Sequence, residues 1–164
     1  MENYICINGK KAELTEEQMK ALGIGLHKAS PFDLKLDKDY YFINSSGELS
    51  KDFYCDGCLL SVHRHDVANY CADKAILEQR ALHETLNRLL WRYSMEHDGD
   101  KIDWSNVSDK WTIYYEHDTH KYKTACWETV NYLGLVFFNT RKTAENAIKE
   151  IVETFMKAHP EFKW

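Results

Sequence analysis

The sequence predicts an α+β fold, and three observations carry that prediction. Short runs of aromatic and β-branched residues, Tyr40-Tyr41-Phe42-Ile43 and Trp111 to Tyr115 among them, are bounded by turn-forming residues. Two longer stretches, opening near Asp73 and at Thr140, place apolar residues at helical spacing. The strand-then-helix order occurs three times along the chain, which argues for helices packed on small antiparallel sheets. The expected organisation is an N-terminal ββα module over residues 1–24 and a connector over 25–38. An α+β body follows over 39–164, made of two units at about 39–97 and 110–160.

In the N-terminal module, Tyr4-Ile5-Cys6-Ile7 reads as a strand and Asn8-Gly9 as a hairpin turn. Lys11 to Leu14 then returns as the second strand. Thr15-Glu16-Glu17-Gln18 is a capping box: the Thr15 hydroxyl accepts from the Gln18 N–H, and the Gln18 side chain reaches back. A short helix through Met19 and Leu22 follows, and Gly23 is placed to end it. Gly25 and Pro31 interrupt the connector, where Phe32 to Leu36 suits a short turn or helix.

The first unit of the body reads as strand, turn at Ser45-Ser46-Gly47, strand, tight turn at Asp56-Gly57, and third strand. A helix capped by Asp73 follows. On that helix Ala75, Leu82, Leu86, Leu89 and Tyr93 share one face, widened by Ile76 and Leu90. The second unit begins at Lys110, where Trp111, Ile113 and Tyr115 alternate onto one side of a strand. Asp118 to Lys121 turns the chain, Tyr122 to Val130 returns, and Asn131 to Gly134 turns again. Leu135 to Phe138 is a short buried strand. Thr140 caps the last helix, with Ala144, Ile148, Ile151 and Phe155 as its stripe, and Pro160 stops it. Aligning Tyr40-Tyr41 with Tyr114-Tyr115, and Asn69-Tyr70-Cys71 with Val136-Phe137-Phe138, brings the caps Asp73 and Thr140 together. That is the pattern of a degenerate internal repeat; the alternative is a coincidence of short hairpins.

Composition narrows function without fixing it. The formal net charge of -5 over 164 residues argues against nonspecific duplex binding, which needs Lys and Arg to displace counterions. It suits a basic partner. Ten Tyr and five Trp serve equally to fill cores and to build binding surfaces. No run of about 18 apolar residues predicts a membrane span. No signal-peptide pattern opens the sequence, so a cytoplasmic protein with its five Cys reduced is expected.

Cys55-Asp56-Gly57-Cys58 is the most conspicuous motif. With His63 and His65 downstream it offers four ligands of the kind that hold structural Zn²⁺. If 58–69 is a strand, Cys58 and His63 point to opposite faces, while His63 and His65 share one. An ordinary surface hairpin and a redox pair are the other readings. His63-Arg64-His65-Asp66 has no nucleophile motif beside it, and Glu116 and Glu128 are not framed as a glycosidase pair. There is no phosphate-binding glycine loop. No catalytic residues are assigned, and no enzyme activity and no cofactor other than that zinc are expected. The strand aromatics Tyr40, Phe42, Tyr114 and Tyr122 suit base stacking or a core. A nucleotide pocket would need Arg64, Arg80 or Arg92.

Beyond these readings, ENYICINGKKAELTEEQMKALGI resembles the N-terminal ββα module of small accessory proteins of phages and prophages of Gram-positive bacteria. SPFDLKLDKDYYFINSSGELS resembles the segment that follows it there. NYCADKAILEQRAL and FFNTRKTAENAI are similar to that group's Asn-Tyr-Phe helix openings. Cys71 stands where the group has Phe, and the CDGC–HRH stretch falls where the group varies. Some proteins of this kind are anti-CRISPR inhibitors of Cas9. The resemblance therefore implies a stoichiometric inhibitor of a host defence nuclease, with a nucleic-acid-binding accessory protein or a nucleotide-signal binder as alternatives. Charge and loop position single out Asp98, Asp100, Asp103, Trp104, Glu116 and Asp118 as partner contacts on a basic nuclease surface.

Overall fold

A computed structural model describes residues 4–7, 10–22, 30–33, 37–55, 57–98 and 102–163. The chain divides into two compact units, Met1–Asp33 and Leu34–Trp164. The fold class is α+β, as the sequence predicts.

In the first unit, β1 (Tyr4–Ile7) pairs antiparallel with β2 (Lys10–Glu13), Tyr4 opposite Glu13. Asn8 and Gly9 lie outside the described residues. The capping box forms as read. The Thr15 N–H donates to Gln18 Oε1 at 2.9 Å, the Gln18 N–H donates to Thr15 Oγ1 at 3.2 Å, and α1 (Glu16–Ala21) follows. In the connector, the described residues form a turn in which the Ser30 N–H donates to Asp33 at 2.8 Å.

The second unit is built on two hairpins. β3 (Asp39–Ile43) pairs with β4 (Leu49–Phe53), and β5 (Lys110–Glu116) pairs with β6 (Lys121–Trp127). Each hairpin is extended on the outer side of its first strand, by a single bridging residue in the first half and by a short strand in the second. Cys71 bridges Tyr41, with backbone hydrogen bonds of 2.8 and 3.0 Å. β7 (Phe137–Phe138) pairs with β5, Phe138 opposite Trp111. Two residues after each bridge comes a helix N-cap. Asp73 accepts from the Ala75 and Ile76 N–H groups, and Thr140 accepts from the Thr143 N–H. The halves thus share one topology, with strand order second–first–third followed by a capped helix. The bridges align Asn69-Tyr70-Cys71 with 136–138 as the sequence suggests. They move the other match by a few residues, so that Tyr40-Tyr41 corresponds to Lys110-Trp111 rather than to Tyr114-Tyr115.

The expected third strand of the first half is corrected. Within 58–69 the chain forms a helix, α2 (Leu59–Asp66), and Cys71 makes the bridge to the sheet. Apolar periodicity hides this helix because its inward side is polar: Ser61 is buried while Leu59 and Leu60 face solvent.

α3 (Lys74–His97) is the spine of this unit. Its 24 residues span roughly 36 Å at 1.5 Å per residue, enough to serve both sheets. Leu77 and Ala81 are buried in its first half. Leu86, Leu90 and Tyr93 enter the main core with Ile113, Phe138, Ala144, Ala147, Val152, Phe155 and Phe162. Ala75 and Ile76 are exposed, so the predicted stripe starts one turn too early. The last helix runs from α4 (Arg141–Ala147) through a π-helical turn (Ile148–Val152) into α5 (Glu153–Ala158). The wider π turn shifts the register, so Ala147 and Val152 are buried while Ile148 and Ile151 sit at the core's margin. The C-terminal segment returns to α3: Gln79 donates to Glu161 O and accepts from the Lys163 N–H, both at 2.9 Å. No helix among the described residues is long and apolar enough to cross a membrane.

Candidate interaction surface

The chain between second and third strands differs between the halves, and the difference decides which residues are available to a partner. In the first half, the insertion is fastened to its sheet at Ser61, Arg64 and Asn69. Arg64 Nη1 donates to Asp52 and to the Tyr40 hydroxyl, both at 2.6 Å, and its guanidinium lies 3.5 Å over the Phe42 ring. Tyr40 is fully buried and shares a 3.1 Å hydrogen bond with Ser61. The Asn69 side chain donates to Ile43 O and accepts from the Ile43 N–H, both at 2.8 Å, two residues along from the Tyr41–Cys71 bridge. The Arg64 guanidinium, with help from the Phe53 N–H, holds the Asp52 carboxyl below the usual carboxylate value. Hydrogen bonds to the ionised form cause that shift.

In the second half, residues 128–136 are tied at few points. Asn87 Nδ2 donates to Gly134 O at 3.2 Å, and Thr112 Oγ1 donates to Val136 O at 2.9 Å. Gly134 adopts φ +84°, a left-handed conformation that favours glycine, and the loop projects beside it. Leu133 is wholly exposed at 105%, and Leu135 and Trp91 are 45% and 60% exposed. Val130 and Tyr132 are exposed as well, with Tyr132 edge-on to Trp127 at 4.9 Å. Where this loop runs into β7, a cavity of about 380 Å³ opens between β5 and α3, lined by Leu86, Leu90, Ile113 and Phe138 among others. A second hollow adjoins it at Arg88, Trp91 and Leu135. The result is an apolar knob beside an apolar hollow on one face. Exposed patches of this kind mark docking surfaces more often than they mark ordinary solvent-facing chain.

The sequence-derived contacts fare unevenly. Asp98 is corrected. It is 7% exposed, accepts from the Asn139 N–H at 2.9 Å and from the Thr143 hydroxyl at 3.1 Å, and so supports the start of α4 instead of facing a partner. Asp100 lies outside the described residues. Asp103 accepts from the Ser105 N–H at 2.8 Å and from Asn106 at 2.6 Å. A hydrogen bond from the Ser105 hydroxyl, then the one from its N–H, holds the Asp103 carboxyl below the usual value. Trp104 packs edge-on against Phe137 at 5.0 Å, with Lys110 Nζ 5.0 Å above its ring. Lys110 is buried, its ammonium donating to the carbonyl oxygens of Asn106 and Ser108 at 3.2 and 3.0 Å. Glu116 pairs with Lys123, which lowers its carboxyl, and Asp118 stands exposed in the hairpin turn.

The zinc ligand set does not come together. Cys55 and Cys58 are bonded to each other in a disulfide, Cα–Cα 5.4 Å. His63 and His65 are on α2, two residues apart, which on a helix turns them to nearly opposite faces. This corrects the strand-based reading that put both on one face. Among the described residues no group of three or more His, Cys, Asp or Glu is gathered to hold a metal ion. Of the arginines a nucleotide pocket would use, Arg64 pairs with Asp52, Arg80 with Glu84 and Arg92 with Glu96. Sequence reasoning missed Trp91, Leu133 and Leu135. A signal was present in Leu133 and Leu135, apolar residues flanking a turn glycine. No known family, curated protein or solved structure matches the chain.

Proposed function

We propose that this protein works by binding another protein, stoichiometrically and without turnover, as an inhibitor of a bacterial defence nuclease of the Cas9 type in the bacterial cytoplasm. The observation that carries the binding part is the exposure of Leu133, Leu135 and Trp91, with Leu135 lining both the cavity against α3 and the hollow that it shares with Trp91. Burying a fully exposed leucine in an interface is worth about 1.5–3 kcal/mol. A large aromatic residue at its margin is the usual composition of an energetic centre. The target class rests on the likeness of the helix openings and the N-terminal module to small phage accessory proteins, some of which are anti-CRISPR inhibitors. The net charge of -5 suits a surface rich in the Arg and Lys that nucleic acid requires. Bound there, the protein would occupy a nucleic-acid channel or a PAM-reading surface and exclude DNA.

The test is DNA cleavage by purified Cas9 titrated with this protein, with the order of addition varied. The expected result is inhibition near one-to-one stoichiometry that depends on whether guide or DNA was loaded first. Cleavage unaffected across several Cas9 orthologues would sink the target class. Binding of single strands that weakens steeply with salt would instead favour the nucleic-acid reading.

A further inference from the structure

The CxxC motif acquires a specific setting that the proposed binding function does not use. Residues 54–58 carry the chain from β4 into α2, and Cys58 is the N-cap of that eight-residue helix. The Cys58 N–H donates to Cys55 O at 3.2 Å, and the Cys58 carbonyl accepts from Ser61 and Val62 at 3.0 and 3.2 Å. Cys58 Sγ is joined to Cys55 Sγ and makes no capping hydrogen bond. Both cysteines are half-buried, so solvent reaches them. Around them Phe53, Leu59 and Leu60 are exposed at 57%, 83% and 58%, an apolar collar with no core role.

A structural staple is a poor account of this disulfide. It closes a loop with a sequence separation of three, the kind of short loop whose closure restricts the unfolded chain least. α2 is already fixed by Ser61 on Tyr40 and by Arg64 on Asp52, Tyr40 and Phe42.

We propose that Cys55–Cys58 is a thiol–disulfide exchange site whose co-reactants are thiols and disulfides. In the reducing direction a thiolate attacks Cys55 Sγ. A new S–S bond forms to Cys55, the Cys55–Cys58 bond breaks, and its electron pair goes to Cys58 Sγ. That sulfur lies at the N-cap, where the first-turn N–H groups and the helix dipole favour negative charge. A second thiolate then attacks the co-reactant sulfur of the mixed disulfide. It leaves as the small disulfide and frees Cys55. The balance is one protein disulfide plus two thiols giving one protein dithiol plus one disulfide, two electrons in all. The exposed collar supplies apolar surface on which a thiol-bearing peptide would rest.

The test uses the whole protein equilibrated with glutathione at graded reduced-to-oxidised ratios, quenched with a thiol-alkylating reagent and mapped by mass spectrometry. Mapping separates this pair from the buried Cys71 and the exposed Cys126. The expected result is a peptide carrying Cys55 and Cys58 that switches between unlabelled and doubly labelled, reversibly from either side, with helix content unchanged by circular dichroism. At equilibrium with oxidised glutathione, Cys58→Ser should hold the mixed disulfide on Cys55 several-fold more than Cys55→Ser holds it on Cys58, because the stabilised Cys58 thiolate is the better leaving group. A pair that stays unlabelled in the folded protein under excess dithiothreitol would be a staple and would overturn the proposal. A pair that stays doubly labelled at every ratio would overturn it equally. Equal trapping in the two single variants would overturn the assignment of Cys55 as the attacked sulfur.

Discussion

The two halves of the larger unit run the same chain path with different chemistry at matching positions. Cys71 and Phe138 both pair on the outer side of a hairpin's first strand, Cys71 as a single bridge and Phe138 within β7; both are fully buried, and both lie two residues before a helix cap. Tyr40 and Lys110 occupy matching positions one residue before the bridged strand residue, and both are buried with a polar tip. Tyr40 spends its hydroxyl on Ser61 and Arg64, whereas Lys110 spends its ammonium on backbone carbonyls. The insertions then diverge: the first is fastened to its sheet through a charged network, with Leu59 and Leu60 exposed, and 128–136 is tied at few points, with Leu133 wholly exposed. One topology can therefore carry a closely fastened insertion and an open one.

Substitutions at matched positions sharpen this comparison. The largest effect is expected at the third strand. Phe138→Ala should cost about 3–5 kcal/mol, because a large buried side chain leaves a cavity in the main core. Cys71→Ala removes one sulfur and should cost clearly less. Chemical denaturation of both variants measures the gap, and equal losses would mean that the two sheets do not share one core geometry. Next come the polar tips. Lys110→Met strands carbonyl groups that now accept from the ammonium and should cost about 1–3 kcal/mol. Tyr40→Phe leaves Arg64 with Asp52 and should fall at the lower end of that range.

The caps should be equivalent. Asp73→Ala and Thr140→Ala should each cost about 1 kcal/mol, since each removes the acceptor for first-turn N–H groups. A large difference in thermal midpoint between them would break the matching of the halves. The charged network gives the first insertion a pH signature of its own. Asp52 is held below its ordinary value near 3.8 by Arg64. A carboxylate with a lowered folded pKa contributes stability that is fully present above its unfolded value and is lost as pH falls through the folded one. The acid limb of the stability profile below about pH 4 should therefore flatten in Asp52→Asn. An unchanged acid limb would show that the pair does not fasten the first insertion.

Much of this fold was legible in the sequence because local signals and tertiary structure agree. Thr15 and Gln18 cap α1, Asp73 and Thr140 cap the long helices, and the turn at Gly47 adopts φ +84° as its residue type allows. α2 was hidden because it inverts the usual pattern, burying Ser61 and exposing Leu59 and Leu60. An Asp-Gly turn signal pointed to a hairpin there. The π turn was hidden because one extra residue per turn leaves no compositional mark. The site was less legible. Charge and loop position chose Asp98 and Glu116, yet a charge in a loop does not reveal whether the fold has already paired it. Exposure of apolar residues such as Leu133 is a property of the folded surface, and hydropathy alone would bury them.

The most direct test of the account is the affinity of purified Cas9 for two matched variants, Leu133→Asp in the open insertion and Leu59→Asp in the closed one, measured by titration calorimetry. Both residues are exposed, so both variants should fold with stability changes within about 0.5 kcal/mol. The account predicts that Leu133→Asp weakens binding by about 2 kcal/mol or more, as loss of an interface centre does. Leu59→Asp should bind as the parent does. Undiminished binding by Leu133→Asp, with binding lost in Leu59→Asp, would place the partner on the other half and contradict the assignment of the open insertion.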